Sequence, residues 1–577
     1  MTDKALAVSE PNVRRGGSLG VTVDGVPLEK SAGLGGGAYE GSDRLSRDLA
    51  SWQPRMLSAD ASINDGRAKL TMDARGRDLT RNSGPILGAS YVHKDSIVGS
   101  QYRLNLSPAY DTLRRLNPGL KFDEVWAEEF QQEVEELFHL YAESIDNWID
   151  VQRSMSFTSL IRMGVGCYFA GGEVLATCNW MKGSGRPFST AFQLIDCDRL
   201  SNPYDMQDTK FMRRGVELNR DGAPVACHIR EGYPNDTMRG GTDSFRWGRR
   251  PIYKQWGRMH TILLRNMQRP EQTRGVADMV AVLKETRMAN RFHDTTLANA
   301  IANASFAAAI ESELPPEMVG DMLGADTSPR LDASRSLLSA IADYSRGGKN
   351  IELDGVKIPH LFPGTKLKLY PAGTVGGVGT GFEESLFRFI SAGLGISYEE
   401  LTHDFSKTNY SGARAASNNT LRFTTSRKRE VADGMANAMF RNWFEEALDL
   451  GTISTMRTML KKKPDLFYET MNRDALCRST WIGASRGQVD ETKETQAAIM
   501  RINSGLSTYE IECARLGYDF REIYRQQKRE KRLREEAGLS FDTSPKKPGT
   551  ITSQQNTGAG DNNGDNKNAD EDDGLDD

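Results

Sequence analysis

The side chains best able to do chemistry in this sequence are seven histidines and six cysteines. The histidines lie at 93, 139, 228, 260, 293, 360 and 403, the cysteines at 167, 178, 197, 227, 477 and 513. A bound metal needs such groups at short, fixed spacing, and neither HExxH, HxH nor CxxC occurs. His293-Asp294 could act as a ligand pair, but a solvated or interfacial histidine is the better reading. The scattered thiols fit small buried hydrophobes in a reducing cytoplasm better than a disulfide framework. There is no GxSxG elbow to expose a nucleophilic serine. Gly347-Gly348-Lys349 is followed by Asn350, not the Ser or Thr that a P-loop needs. GGVGTG (376–381) follows a Pro-Ala-Gly turn, so it reads as a linker and not as a phosphate cradle. Carboxylates are plentiful, but nothing in the sequence pairs them. No catalytic centre, metal or cofactor is expected.

The chain that would have to position any site is 577 residues long, enough for several domains or one elongated subunit. Hydrophobic residues at 38% and charged ones at 26% suit a polar surface. No apolar run approaches the length of a membrane span, and the N-terminus lacks the apolar stretch of a signal peptide. The net charge of −4 is uneven: residues 558–577 hold eight acidic residues and one lysine. Setting that tail aside leaves a mildly basic body, compatible with contact to nucleic acid without showing it.

Residues 1–73 read as weakly ordered, with glycine dense at 31–41. Order is expected from about Asp73, as a helix leading into a strand at Tyr102 to Leu106. Phe130, Val134, Phe138, Tyr141, Ile145 and Trp148 recur at three- and four-residue spacing, predicting an amphipathic helix from Phe122 to Val151. From 157 to 265 the pattern turns mostly to short strands, including 192–200, 224–231 and 259–265. The fold class is therefore α+β. Residues 276–314 contain neither Gly nor Pro, and as one helix would span roughly 55–60 Å. That helix is either an ordinary buried one or, given its length and alanine content, part of a bundle or oligomer. Short strands at 350–370, a link at 371–381, a second helix, a long helix at about 413–448 and a helical segment at about 490–538 follow.

The segment FEESLFRFISAGLGISYEELTHDFSKTNYSGARAA (382–416) is the most specific. Phe382, Leu386 and Phe389/Ile390 give one apolar face, and Gly393 and Gly395 are the expected helix stop. Ser397 and Glu400 have capping-box spacing. A polar stretch from His403 to Ser411 follows, with Lys407 at its centre. Ser411 is placed to cap a helix carrying Arg414, Arg422, Arg427 and Arg429. The wording AGLGISYEELTHDFSKTNYSGARAA resembles the signature of lambda-type portal proteins of tailed bacteriophages. The blocks at 77–104, 192–200, 214–233, 267–283 and 489–539 agree with that family and stand in its order. Gly412, Ala277 and Asp490-Glu491 depart from its usual Ser, Pro and Asp-Pro.

The resemblance implies a portal fold with wing, two-helix stem, clip and helical crown, assembled as a homo-oligomeric ring, typically a dodecamer, around a DNA channel. It maps a wing to 74–270, the first stem helix to 271–311 and the clip to 312–375. The linker and second stem helix follow at 376–396, the tunnel loop at 397–411, the long helix and wing return at 412–483, the crown at 484–540 and a disordered acidic tail at 541–577. It further implies a place at the virion's portal vertex, assembly in the host cytoplasm, and no enzymatic or membrane role. The implied partners are the terminase large subunit, the major capsid protein, head-completion or adaptor proteins, and non-specifically bound double-stranded DNA.

A channel that grips DNA would brake it, because each phosphate neutralised by Lys or Arg adds salt-dependent affinity. A lightly charged loop therefore suits a tunnel lining, and Lys407, Thr408 and Asn409 are the residues expected to approach phosphates without reading bases. The same loop could instead pack against a neighbouring subunit. The run at 525–536 alternates Arg/Lys with Glu and reads as a solvated, salt-bridged face before a DNA site. A metal-dependent nuclease or a head-scaffolding protein are the rival classes.

Overall fold

The computed structural model describes residues 57–64, 68–183, 185–233, 243–305, 379–485 and 491–539, with residue 51 and two short strand pairs at 22–27 and 351–358. The chain divides into two compact units, Met1–Gly517 and Tyr518–Asp577.

Among the described residues helical structure begins at Ala59, earlier than the boundary at 73 drawn from the sequence. Helix α1 (Ala59–Asn64) is followed by α2 (Ala68–Asn82). Burial explains the shift: Asp60 accepts from the Thr273 amide at 2.6 Å, and Lys69 donates to Asp73 at 2.9 Å and to the Gly171 carbonyl at 2.7 Å. Extended backbone at Ser83 then separates α2 from α3 (Gly84–Ile97), so two helices stand where one was expected ahead of strand β1 (Arg103–Leu106).

After a short α4 (Tyr110–Leu116), α5 covers Glu124–Ala142 and buries Phe130, Val134, Phe138 and Tyr141 as its spacing predicts. It stops nine residues before Val151. Glu143, just past its end, accepts from the Thr158 amide at 2.9 Å, Asn147 takes a positive φ, and Ile145 is fully exposed.

Residues 157–171 correct the strand-rich reading of this region: they form a helix, α6 (Phe157–Gly171), capped by Ser156 and ended by Gly172 at φ +71°. Its Gly164, a breaker by propensity, sits where a Cβ would lie 2.7 Å from the Met435 sulfur. Strands then dominate as expected. The strands β2 (Glu173–Trp180), β3 (Thr190–Ile195), β4 (Met212–Arg213), β5 (Val216–Leu218), β6 (Pro224–Arg230), β7 (Trp247–Pro251) and β8 (Thr261–Arg265) form two antiparallel sheets, ordered β8-β2-β3 and β4-β5-β6-β7. The segment 192–200 is strand only to Ile195, after which a 3-10 turn at Cys197–Arg199 takes over.

The helix expected from 276 starts later. Ala277 is extended and Asp278–Val282 is 3-10, so α7 runs Leu283–Ser305. The cause is local: the Asn266 side-chain amide donates to both the Val276 carbonyl and Asp278, each at 2.8 Å, and holds the chain out of helix. Of residues 312–375, where a clip was expected, only the antiparallel pair β9 (Ile351–Leu353) and β10 (Val356–Ile358) falls among the described residues. Helix α8 (Gly379–Leu394) lies against α7, with the Phe292 and Phe382 rings 5.5 Å apart. After α9 (Tyr398–Thr402), the long helix comprises α10 (Tyr410–Arg427), one π turn at Lys428–Ala432, and α11 (Asp433–Asp449).

Strand β11 (Ser479–Ile482) returns to pair with β1. The largest core joins α5, α6 and α11, where Phe138 meets Trp443 at 5.1 Å and Tyr102 stacks on Trp481 at 5.7 Å. Helices at Glu491–Asn503 and Tyr509–Arg515 complete the first unit. In the second, the helix Phe520–Glu536 pairs Arg534 with Glu530 at 3.0 Å and Arg532 with Glu536 at 3.6 Å. These are the i,i+4 contacts of a solvated, salt-bridged face. The acidic tail at 541–577 lies outside the described residues.

Candidate nucleic-acid interface

The interface is built from the end of α8 outward. Ile390 and Leu394 of α8, Ile396 and Leu401 are buried with Leu79, Ile86, Phe169, Met279 and Val282 in one cluster. This fixes the base of α8 onto α2 and α3. Gly393, expected to end the helix, lies inside it; a Cβ there would stand 2.3 Å from Val282 Cγ1, so glycine permits close packing. The stop is Gly395, at φ +71° over the Phe423 ring. The expected apolar face of α8 is split: Ile390 is buried, whereas Phe382 and Phe389 are about half exposed.

His93 locks this junction. Its Nε2 lies 3.1 Å from the Leu394 carbonyl, and its ring meets Phe169 at 4.8 Å and Phe423 edge-on at 5.7 Å. Burial pushes the imidazole down to about 4. It is therefore neutral at pH 7, and its contact with a carbonyl places the remaining proton on Nε2.

Ser397 and Glu400 form the full capping box, and Thr420 of the long helix also donates to Glu400. His403 turns the chain with a positive φ. Of the three residues expected to face DNA, each has a partner within the subunit. Lys407 Nζ pairs with Glu384 of α8. Thr408 donates to Glu399 at 3.0 Å. Asn409 accepts from the Gly412 amide at 2.7 Å and so caps α10, the role expected of Ser411. The departure at Gly412 thus leaves the helix start well defined. Hydrogen bonds from Ser406, aided by Lys407, hold the Asp404 carboxyl below its usual range, and Glu384 raises Lys407. The loop is tied down at these three residues and leaves Asp404 and Lys407 exposed.

Of the four arginines on the following helix, Arg427 turns inward, donating to Asp278 at 2.6 Å and to Tyr168 Oη at 3.2 Å; Arg414, Arg422 and Arg429 are exposed. Glu384, Glu399 and His93 went unnoticed in the sequence because their partners are 23, 9 and 301 positions away. Among the described residues, no group of three His, Cys, Asp or Glu is placed to hold a metal, and no helix is long and apolar enough to cross a membrane.

The profile of the phage portal protein, lambda family, matches residues 45–428. The chain belongs to this family. The match covers α1 to α10 and includes the whole loop at 397–411. The portal protein of Escherichia phage N15 is 35% identical over 508 residues, covering 88% of this chain and 91% of that protein. Portal protein B of Escherichia phage lambda is also 35% identical, over 87% of this chain and 91% of its own length. A looser likeness is to a chain in the neck of an empty GTA particle computed with C6 symmetry, with 11% identity, 77% and 93% coverage and a TM-score of 0.38. The mixed helix-and-sheet architecture of this portal protein is the α+β class expected from its sequence.

Proposed function

We propose that this portal protein assembles as a homo-oligomeric ring, a dodecamer by its family resemblance, at the unique vertex of a phage capsid. Genomic DNA would pass through the ring, driven by the terminase motor during packaging and leaving at ejection. The wing would be 74–270 with a return at 412–483, the stem 271–311 and 376–396, which contain α7 and α8, the clip 312–375 and the crown 484–540. Docking of terminase and head-completion proteins through the clip, and of the major capsid protein elsewhere, belongs to this reading, as does assembly in the host cytoplasm. The single observation that carries it is the 35% identity to two phage portal proteins over nearly nine-tenths of the chain.

Residues 397–411 would line the channel, with Lys407, Thr408 and Asn409 nearest the phosphates. The pairing of Lys407 with Glu384 supports this, because a compensated lysine gives contact without a firm grip. Electron microscopy of the purified full-length protein tests the assembly. Rings with an axial hole are the expected result; monomers at every concentration would overturn it.

A further inference from the structure

Lys407 is the sole lysine or arginine between His403 and Asn409. Its ammonium is engaged by Glu384, on a helix 23 positions earlier. Glu384 also lies 3.5 Å from Arg388, and Arg388 sits over the Tyr398 ring at 5.3 Å. Glu399 accepts from Thr408, and Asp404 is near enough for the Lys407 charge to favour its ionised form. Lys407 and Arg388 thus share Glu384, and the loop itself carries the further carboxylates Glu399, Glu400 and Asp404. A polyanion approaching this surface meets a lysine already matched within its own subunit.

We infer that Glu384 masks Lys407 and so sets how strongly the loop engages a DNA phosphate; this rests on the reading of 397–411 as a DNA-facing loop. The Lys407 side chain is 68% exposed, and exposed ion pairs add little net stability, so the pair offsets the lysine's charge toward a phosphate without locking the side chain in place. Arg388 remains beside Glu384 when Lys407 turns to a phosphate, so no charge is stranded. The grip on DNA is therefore set from α8, a stem element, and not by the loop alone. Removing the mask lets one more phosphate be neutralised for each subunit that reaches the duplex, with release of its condensed counterion.

The test uses assembled full-length rings of wild type, Glu384→Gln, Lys407→Gln and the double variant, binding short linear double-stranded DNA over a salt series. Glu384→Gln should bind more tightly at low salt, its slope of log K against log salt steepening by roughly 0.9 for each further phosphate neutralised. The double variant should match Lys407→Gln. An unchanged slope in Glu384→Gln, or tightening that persists without Lys407, overturns the masking. A photo-cross-linking phenylalanine analogue at the exposed Phe405 separates the two readings. No cross-link to bound DNA overturns the loop assignment and this inference with it. A cross-link with an unchanged slope in Glu384→Gln overturns the masking alone.

Discussion

Arg427, on the long helix, and Asp278, at the 3-10 turn ahead of α7, form a 2.6 Å ion pair across 149 positions. Arg427 also reaches Tyr168 Oη and Glu430, so one guanidinium ties α6, the 3-10 turn ahead of α7 and the long helix together. Its side chain is 17% exposed, which keeps water from replacing these bonds. Arg427→Ala should destabilise the protein by about 1–3 kcal/mol, and Asp278→Asn by less. Urea unfolding followed by tryptophan fluorescence measures both.

The Glu173–Arg274 pair is buried far more deeply. Arg274 Nη2 and Nε each lie 2.8 Å from the carboxylate, and neither side chain exceeds 5% exposure. Burial opposes ionisation of Glu173, yet Arg274 and Lys69 hold its carboxyl below the usual range. Glu173→Gln leaves two cations facing an uncharged amide and should cost about 3–5 kcal/mol. The expected readout is a large drop in the unfolding midpoint, or no soluble protein.

His93 predicts an acid sensitivity. Its folded value of about 4 lies below the ordinary 6.5, so the unfolded chain takes up a proton that the folded one refuses. This group leaves stability unchanged with pH above 6.5. Stability is then lost as pH falls from about 6.5 to about 4, by up to about 3 kcal/mol. His93→Phe should flatten that part of the stability–pH curve while losing about 1 kcal/mol at pH 7 with the bond to Leu394.

Gly395 carries a positive φ, and a Cβ there would stand 2.8 Å from the Phe423 ring. Both strain and overlap oppose any side chain. Gly395→Ala should lower stability by about 1–3 kcal/mol. Gly412→Ser, by contrast, sits in the first turn of α10, and should leave the melting temperature nearly unchanged.

Lys407→Glu places a carboxylate against Glu384, so the loop loses its hold on α8 and acquires a charge that repels phosphate. Phage carrying it should package or retain less DNA than wild type. Full packaging and retention would count against a DNA-facing role for this loop.

The sequence by itself determined the family, the α+β class and those features whose partners are close along the chain. The capping box joins Ser397 to Glu400 within a single helical turn, and the apolar stripe of α5 follows from helical spacing alone. Gly395 as a stop was equally legible, because its backbone conformation is a local property.

The tertiary structure decided what depends on distant partners. Helix α5 ends at Ala142 although Ile145 and Trp148 keep its rhythm, since Glu143 is drawn to Thr158. Helix α6 persists through Gly164 and Gly166 because Met435 and Lys94 occupy the space beside them. Asn266, ten and twelve positions from the groups it binds, delays the start of α7. The same holds at Lys407. The sequence shows a lone lysine in a polar loop, and only folding brings Glu384 to it. Periodicity and caps act over one or two helical turns, whereas a charge is tuned by whichever side chain the fold sets beside it.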